Sequence, residues 1–216
     1  CYMKHYSQVF QPTEVQMMLA AFSNMETVHV AAYSHLLDTI GMPEVEYQAF
    51  LQIKEMRDKY DYMQQFNTKT KVDIAKTLAI FGAFTEGLQL FATFAILLNF
   101  PRFNKMKGMG QIVTWSARDE SLHTESIIKL FNTFVNENPD INKEDLNRDL
   151  YVACNTMIDH EDAFIDRAFE LGSVEGLRPE AVKKYIRFIA DIRLTQLKLN
   201  PIYNIGENPL PWMDEM

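Results

Sequence analysis

Apolar residues recur at helical spacing along most of the chain, and proline, glycine and polar clusters fall in the gaps between the runs. Residues 1–12 read as irregular, ending at Pro12. Thr13 and Gln16 then form a capping-box pair, and the periodicity continues through Leu37 to a stop at Gly41, which predicts a helix over 14–40. Pro43 restarts a helix, broken once, that reaches about Phe66; its Glu55, Arg57, Asp58, Lys59 and Asp61 read as a solvated outer face. A polar turn at 67–71 precedes the most apolar stretch, 74–100, closed by Pro101. Between Leu78 and Phe100 its only charged residue is Glu86. That length could cross a membrane. Thr85, Glu86, Gln89 and Thr93 burden a lone span, however, and a central helix buried on all sides is the better prediction. Gly108 and Gly110 mark the next start, with a helix over 111–137 before Pro139. Asn142 can cap a helix over 143–171, stopped at Gly172, and Pro179 sits in the first turn of a last helix, 179–199. The remainder is predicted as an extended tail.

This pattern is all-α. At 216 residues the chain can build one sizeable core, and 1–216 reads as a single domain. Only 8 glycines and 8 prolines interrupt it, which suits long helices and argues against disorder or an all-β fold. The formal charge of −8, without a basic stripe, argues against nucleic-acid and anionic-membrane partners. Two cysteines, Cys1 and Cys154, make no disulfide framework and fit a reducing cytoplasm. No signal peptide opens the chain, and it does not begin with Met, so it reads as truncated, processed or part of a longer product.

The candidate chemistry lies on the predicted helices. Glu26 and His29 stand three apart and Tyr33 follows four later; at about 100° per residue all three fall within roughly 60° of one helix face. The spacing recurs as Glu120 and His123 in Arg-Asp-Glu-Ser-Leu-His. Two Glu-x-x-His pairs on long helices, with a lone glutamate between them in sequence, are the ligand pattern of dimetal carboxylate sites in helical bundles. Carboxylate oxygen and imidazole nitrogen suit iron(II) and manganese(II). Burying Glu86 ionised in so apolar a helix would cost several kcal/mol without a counter-charge, which two divalent cations supply. A single pair is more simply a solvated carboxylate beside a core histidine; both pairs with Glu86 are not. Pseudo-symmetry would place a partner carboxylate for Glu26 upstream of Cys1, which leaves the site short of one ligand and weakens occupancy near Glu26 and His29. Tyr33 is either a core aromatic or a phenol close enough to a metal–oxygen oxidant to be oxidised, with Leu90 and Phe94 as a shielding apolar wall. His5 and His35 read as structural, His160 in Asp-His-Glu-Asp as a solvated or interhelical patch, and Trp115 as core.

Met-Glu-Thr-Val-His-Val-Ala-Ala-Tyr-Ser-His, Thr-Glu-Gly-Leu-Gln-Leu-Phe, Ala-Arg-Asp-Glu-Ser-Leu-His and the closing Asn-Pro-Leu-Pro-Trp resemble the class I ribonucleotide reductase small subunit over nearly the whole chain. The resemblance implies a ferritin-like helical bundle, a homodimer, and a centre of two iron ions, two manganese ions or a mixed pair. By motif position it implies Glu26, His29, Glu86, Glu120 and His123 as metal ligands, Glu26 and Glu120 as the bridges, Tyr33 as the radical-bearing tyrosine, and Asp119 as the aspartate that orients a ligand histidine. It also implies a cytoplasmic radical-generating subunit that serves a separate large subunit, where ribonucleotides are reduced, so that no substrate pocket is expected in this chain. Against the family pattern, the remaining carboxylate ligand and a nearby tryptophan fall upstream of Cys1, and the tail that docks the large subunit falls beyond Met216. Leu90 replaces a phenylalanine common in the radical pocket. The alternative is another ferritin-like di-iron oxidase or oxygenase that acts on its own substrate.

Overall fold

The computed structural model describes residues 1–170 and 172–215, the side chains of Tyr47 and Gln48 excepted. It is a helical bundle: α1 (Thr13–Ile40), α2 (Glu44–Ala49), α3 (Lys54–Met63), α4 (Lys71–Ala79), α5 (Phe91–Arg102), α6 (Lys107–Glu137), α7 (Lys143–Phe169) and α8 (Pro179–Gln196). Among the described residues there is no strand, only an isolated bridge between Val174 and Leu177.

Three helix ends follow the local chemistry predicted for them. Gly41, at φ +79°, takes the left-handed conformation that ends α1. The Asn142 side chain accepts from the Glu144 and Asp145 N–H groups, and Pro179 occupies the first turn of α8. The expected helix over 43–66 is broken into α2, a short 3-10 turn at Phe50–Gln52, and α3. Leu171, the last residue of the helix predicted over 143–171, lies outside the described residues.

Other expectations are corrected. Thr13 and Gln16 form no capping box: Pro12 precedes the helix, and the Gln16 amide instead donates to the carbonyls of Ser7 (2.6 Å) and Phe10. Residues 1–12 are not irregular, because Tyr2–Tyr6 form a π-helical turn that continues into Ser7–Val9. The helix predicted from 74 begins at Lys71, where Thr70 and Asp73 make a reciprocal capping box. Pro101 does not close the stretch but lies inside α5, and α6 starts at Lys107, so that Gly108 and Gly110 lie within it. Lys59 does not belong to a solvated face; its ammonium is paired with Glu161 of α7, whose side chain is fully buried. Trp115 is 54% exposed rather than core. The tail closes in a 3-10 turn at Pro211–Glu215.

The stretch from Lys71 to Arg102 forms the centre. It is long and apolar enough to cross a membrane by length and composition, yet 61% of its most apolar window is buried inside the protein. It is also not one uniform helix. Between α4 and α5 the segment Ile80–Glu86 is π-helical, with Gly87 N bonded to Gly82 O (3.1 Å) and Gln89 N to Phe84 O (3.0 Å). Leu78, Ala79, Ala83, Phe84 and Leu88 are fully buried here, each large side chain contributing about 2 kcal/mol of transfer free energy. Gly82 permits the close approach of α6, since a Cβ at that position would sit 2.5 Å from Cγ2 of Ile127.

Candidate metal centre

The central segment contacts α6, α7 and α8, while α1 lies against α6 and the N-terminal turn. Glu26 and His29 come from α1, Glu120 and His123 from α6, and Glu86 is the last residue of the π-helical segment. One ligand atom from each of Glu26, Glu86, Glu120 and His123 lies within 4.8 Å of the others. Nδ1 of His123 is 3.1 Å from Oε1 of Glu26 and 3.5 Å from Oε2 of Glu120. His29 stands on the opposite side of the same two acids, with Nδ1 3.4 Å from Oε2 of Glu26 and 3.3 Å from Oε1 of Glu120. Its other nitrogen, Nε2, is 3.2 Å from Oδ2 of Asp119. The structure thus brings together all five predicted ligand residues and Asp119.

Glu86 and Glu120 are 5% and 4% exposed, and His123 is fully buried. Oε1 of Glu26, Oε2 of Glu86, Oε2 of Glu120 and both ring nitrogens of His123 are buried without an aligned hydrogen-bond partner. Such concentration of unanswered polar atoms is costly in an apolar core. Protons respond to it. Burial, and then the neighbouring Glu120, push the Glu86 carboxyl well above the usual carboxylate range. Burial disfavours the charged His123 ring, but Glu120 and Glu26 outweigh it and hold the imidazole up to about 9. Burial also opposes ionisation of Glu26, yet His123 and His29 outweigh it and keep that carboxyl below its ordinary value. Convergent oxygen and nitrogen donors with free lone pairs, in a cluster otherwise satisfied only by proton uptake, fit divalent cations of the iron and manganese type.

Tyr33 is half-buried on the same face of α1. It shares a groove of about 560 Å³ with Glu26, His29 and Glu120, walled by Leu37, Leu90, Phe94 and Leu97. Burial raises the phenol's pKa, the Ser116 hydroxyl beside it pulls the other way, and Glu120 adds to the rise. The predicted apolar wall of Leu90 and Phe94 therefore lies where expected.

One residue at this site was not foreseen. Tyr2 is 4% exposed, and its hydroxyl donates to Oε1 of Glu86. Nothing in the pattern of residues 1–12 signals that contact. The remaining histidines stay apart from the cluster: His35 is exposed, His5 is half-buried, and His160 meets Tyr62 edge-on at 5.8 Å, between helices as expected. Cys1 and Cys154 are both free thiols.

Comparison with known proteins gives these features a setting. A sequence model of the family described as "Ribonucleotide reductase, small chain" matches residues 1–209. A probable ribonucleoside-diphosphate reductase small subunit of Invertebrate iridescent virus 3 is 41% identical over 98% of this chain, which spans 61% of that relative's length. Among solved structures, a putative class I ribonucleotide reductase from Bacillus halodurans superposes with a TM-score of 0.90 at 21% identity, covering 97% of this chain and 78% of that one. The dimanganese(II)-NrdF of Streptococcus sanguinis gives 0.73 at 18% identity, over 94% of this chain and 70% of that one. These structural likenesses establish the fold.

Proposed function

The chain belongs to the ribonucleotide reductase small-chain family, and from that premise we propose that it is part of a class I radical-generating subunit holding a dimetal centre and a radical-bearing Tyr33. The observation that carries the proposal is the meeting of Glu26, Glu86, Glu120 and His123 within 4.8 Å, with buried lone pairs left unanswered. On this reading Glu26, His29, Glu86, Glu120 and His123 hold two ions, of iron, of manganese or one of each. Glu26 and Glu120 suit bridging, because each faces both histidines across 3.1–3.5 Å. Bound there, the redox-active pair would supply the oxidising power of dioxygen.

The chain's own residues do the rest. Asp119 accepts from Nε2–H of His29, which fixes the tautomer and leaves the Nδ1 lone pair facing Glu26 and Glu120. Tyr33 would give one electron to the dioxygen-oxidised pair and its phenolic proton to the oxygen so reduced, and store the oxidising equivalent as a phenoxyl radical. Leu90, Phe94 and Leu97 wall the groove beside the phenol with apolar surface, which would limit the approach of water and reductants from that side. The equivalent then passes to a separate large subunit, where ribonucleotides are reduced. The homodimer implied by the family would cover Val28, Trp115 and Leu122, apolar side chains that α1 and α6 leave exposed.

A ferritin-like oxidase with its own substrate could use the groove beside Tyr33, and turnover of a small molecule without a second protein would favour it; family membership weighs against it. The test is Tyr33→Phe. After exposure to air with added iron or manganese, the variant keeps its metal but loses the sharp radical absorbance and the tyrosyl paramagnetic signal. A tyrosyl signal that survives the substitution refutes the assignment.

A further inference from the structure

We propose that Tyr2 is a positioning residue of the metal centre: its hydroxyl, donating to Oε1 of Glu86, fixes that carboxylate so that Oε2 alone is offered to a cation. The inference rests on the metal-binding reading above and assigns a role within it to a residue outside the ligand set.

Glu86 differs from its two acidic neighbours. Glu26 and Glu120 each lie within 3.5 Å of both His29 and His123. Glu86 has no imidazole at that range; among the described residues the hydrogen bond to its side chain comes from Tyr2, and Oε2 has no partner. Its backbone is also the least regular of the three. Glu26 and Glu120 sit well inside long α-helices, whereas Glu86 ends the π-helical segment at the turn before α5. A carboxylate on such a scaffold gains more from a side-chain restraint than one held by helix geometry on both sides.

The Tyr2 ring cannot easily withdraw that restraint. It meets Phe81 edge-on at 5.4 Å, Phe22 at 5.7 Å and the ring of His123 edge-on at 5.8 Å. The packing therefore fixes the hydroxyl from three sides and links it to a second ligand residue. With Oε1 occupied by the phenol, Glu86 binds through one oxygen; released, it could chelate with both or turn away. Tyr6, one turn along the same segment, supplies an internal control. It is buried, as Tyr2 is, but its hydroxyl donates to the Thr77 carbonyl of α4 at 2.9 Å rather than to a ligand carboxylate.

Tyr2→Phe and Tyr6→Phe, each in the full chain, separate positioning from packing, since both keep the ring and remove one oxygen. Manganese(II) binding is followed by calorimetry and by the paramagnetic resonance of the bound ion, and thermal unfolding is measured without metal. Tyr2→Phe is expected to weaken manganese(II) binding by about 10–100-fold and to change the spectrum at saturation. Tyr6→Phe is expected to lower the unfolding midpoint while leaving affinity and spectrum unchanged. Unaltered affinity and spectrum in Tyr2→Phe would overturn the proposal, and so would an equal loss in both variants, because the hydroxyl would then act through the fold. Glu120→Ala tests the underlying reading separately: if that variant binds manganese(II) as the unmodified chain does, the metal centre itself is misassigned and the role of Tyr2 falls with it.

Discussion

Asp191 and Glu86 are both carboxylates withdrawn from water, at 7% and 5% exposure, and the fold treats them in opposite ways. Asp191, on α8, accepts from the N–H groups of Ile202, Tyr203 and Ile205, each at 3.0 Å, and ties the C-terminal segment to the bundle. Glu86 receives one phenol, keeps a buried oxygen with no partner, and faces the carboxylate of Glu120, which opposes its ionisation. An acid buried for architecture is completed by the chain itself. An acid left incomplete beside two others is completed from outside, by protons or by cations. Glu161 stands between these cases: it is fully buried and answered by the single ammonium of Lys59.

The contrast can be broken most forcefully at Glu120. Its loss removes one of the two carboxylates that face both histidines, so Glu120→Ala should reduce iron(II) or manganese(II) affinity by at least about 100-fold, while unfolding without metal is not destabilised. Calorimetric titration beside a thermal melt reads both effects. A large fall in metal-free stability with affinity retained would make Glu120 an architectural acid like Asp191.

Asp191→Ala should do the reverse. Three backbone donors lose their acceptor, at a cost of about 3–5 kcal/mol measured by urea unfolding, and metal affinity should stay as it was. If metal binding fell in step with stability, the two regions would not be separable.

The smallest expected effect sharpens the intermediate case. Burial, opposed by Lys59, raises Glu161 from 4.5 to about 7. Because the folded chain holds that proton more tightly than the unfolded one, the associated stability is fully present below pH 4.5. It is lost as pH rises through about 7. The loss amounts to at most about 3 kcal/mol. Glu161→Gln should flatten stability over that window in urea unfolding at a series of pH values. An unchanged slope would place the proton elsewhere.

How far this arrangement could be read from the residues depends on the kind of signal each part leaves. The ends of α1, α7 and α8 were legible because Gly41, Asn142 and Pro179 act locally on the backbone. The convergence of α1 and α6 was legible too, since Glu-x-x-His spacing places both side chains on one helix face. The π-helical segment was not, because residues 78–85 carry no charge and a uniformly apolar run has no polar phase to show where the register slips. Lys59 was misread because the charge run at 55–61 looks solvated until Glu161, a hundred residues away, is seen to bury beneath it. Tyr2 left no signal at all: its hydrogen bond spans 84 positions and depends on where the N-terminal turn docks. Local chemistry and periodicity are written along the chain, whereas partners joined only by tertiary packing are not.

The central claim is that these buried acids and imidazoles exist to hold cations, and metal content tests it most directly. The chain is loaded anaerobically with iron(II) or manganese(II), freed of excess, and analysed for metal per protein. The account predicts saturation at two ions per chain. No retained metal, or many ions per chain, would contradict it.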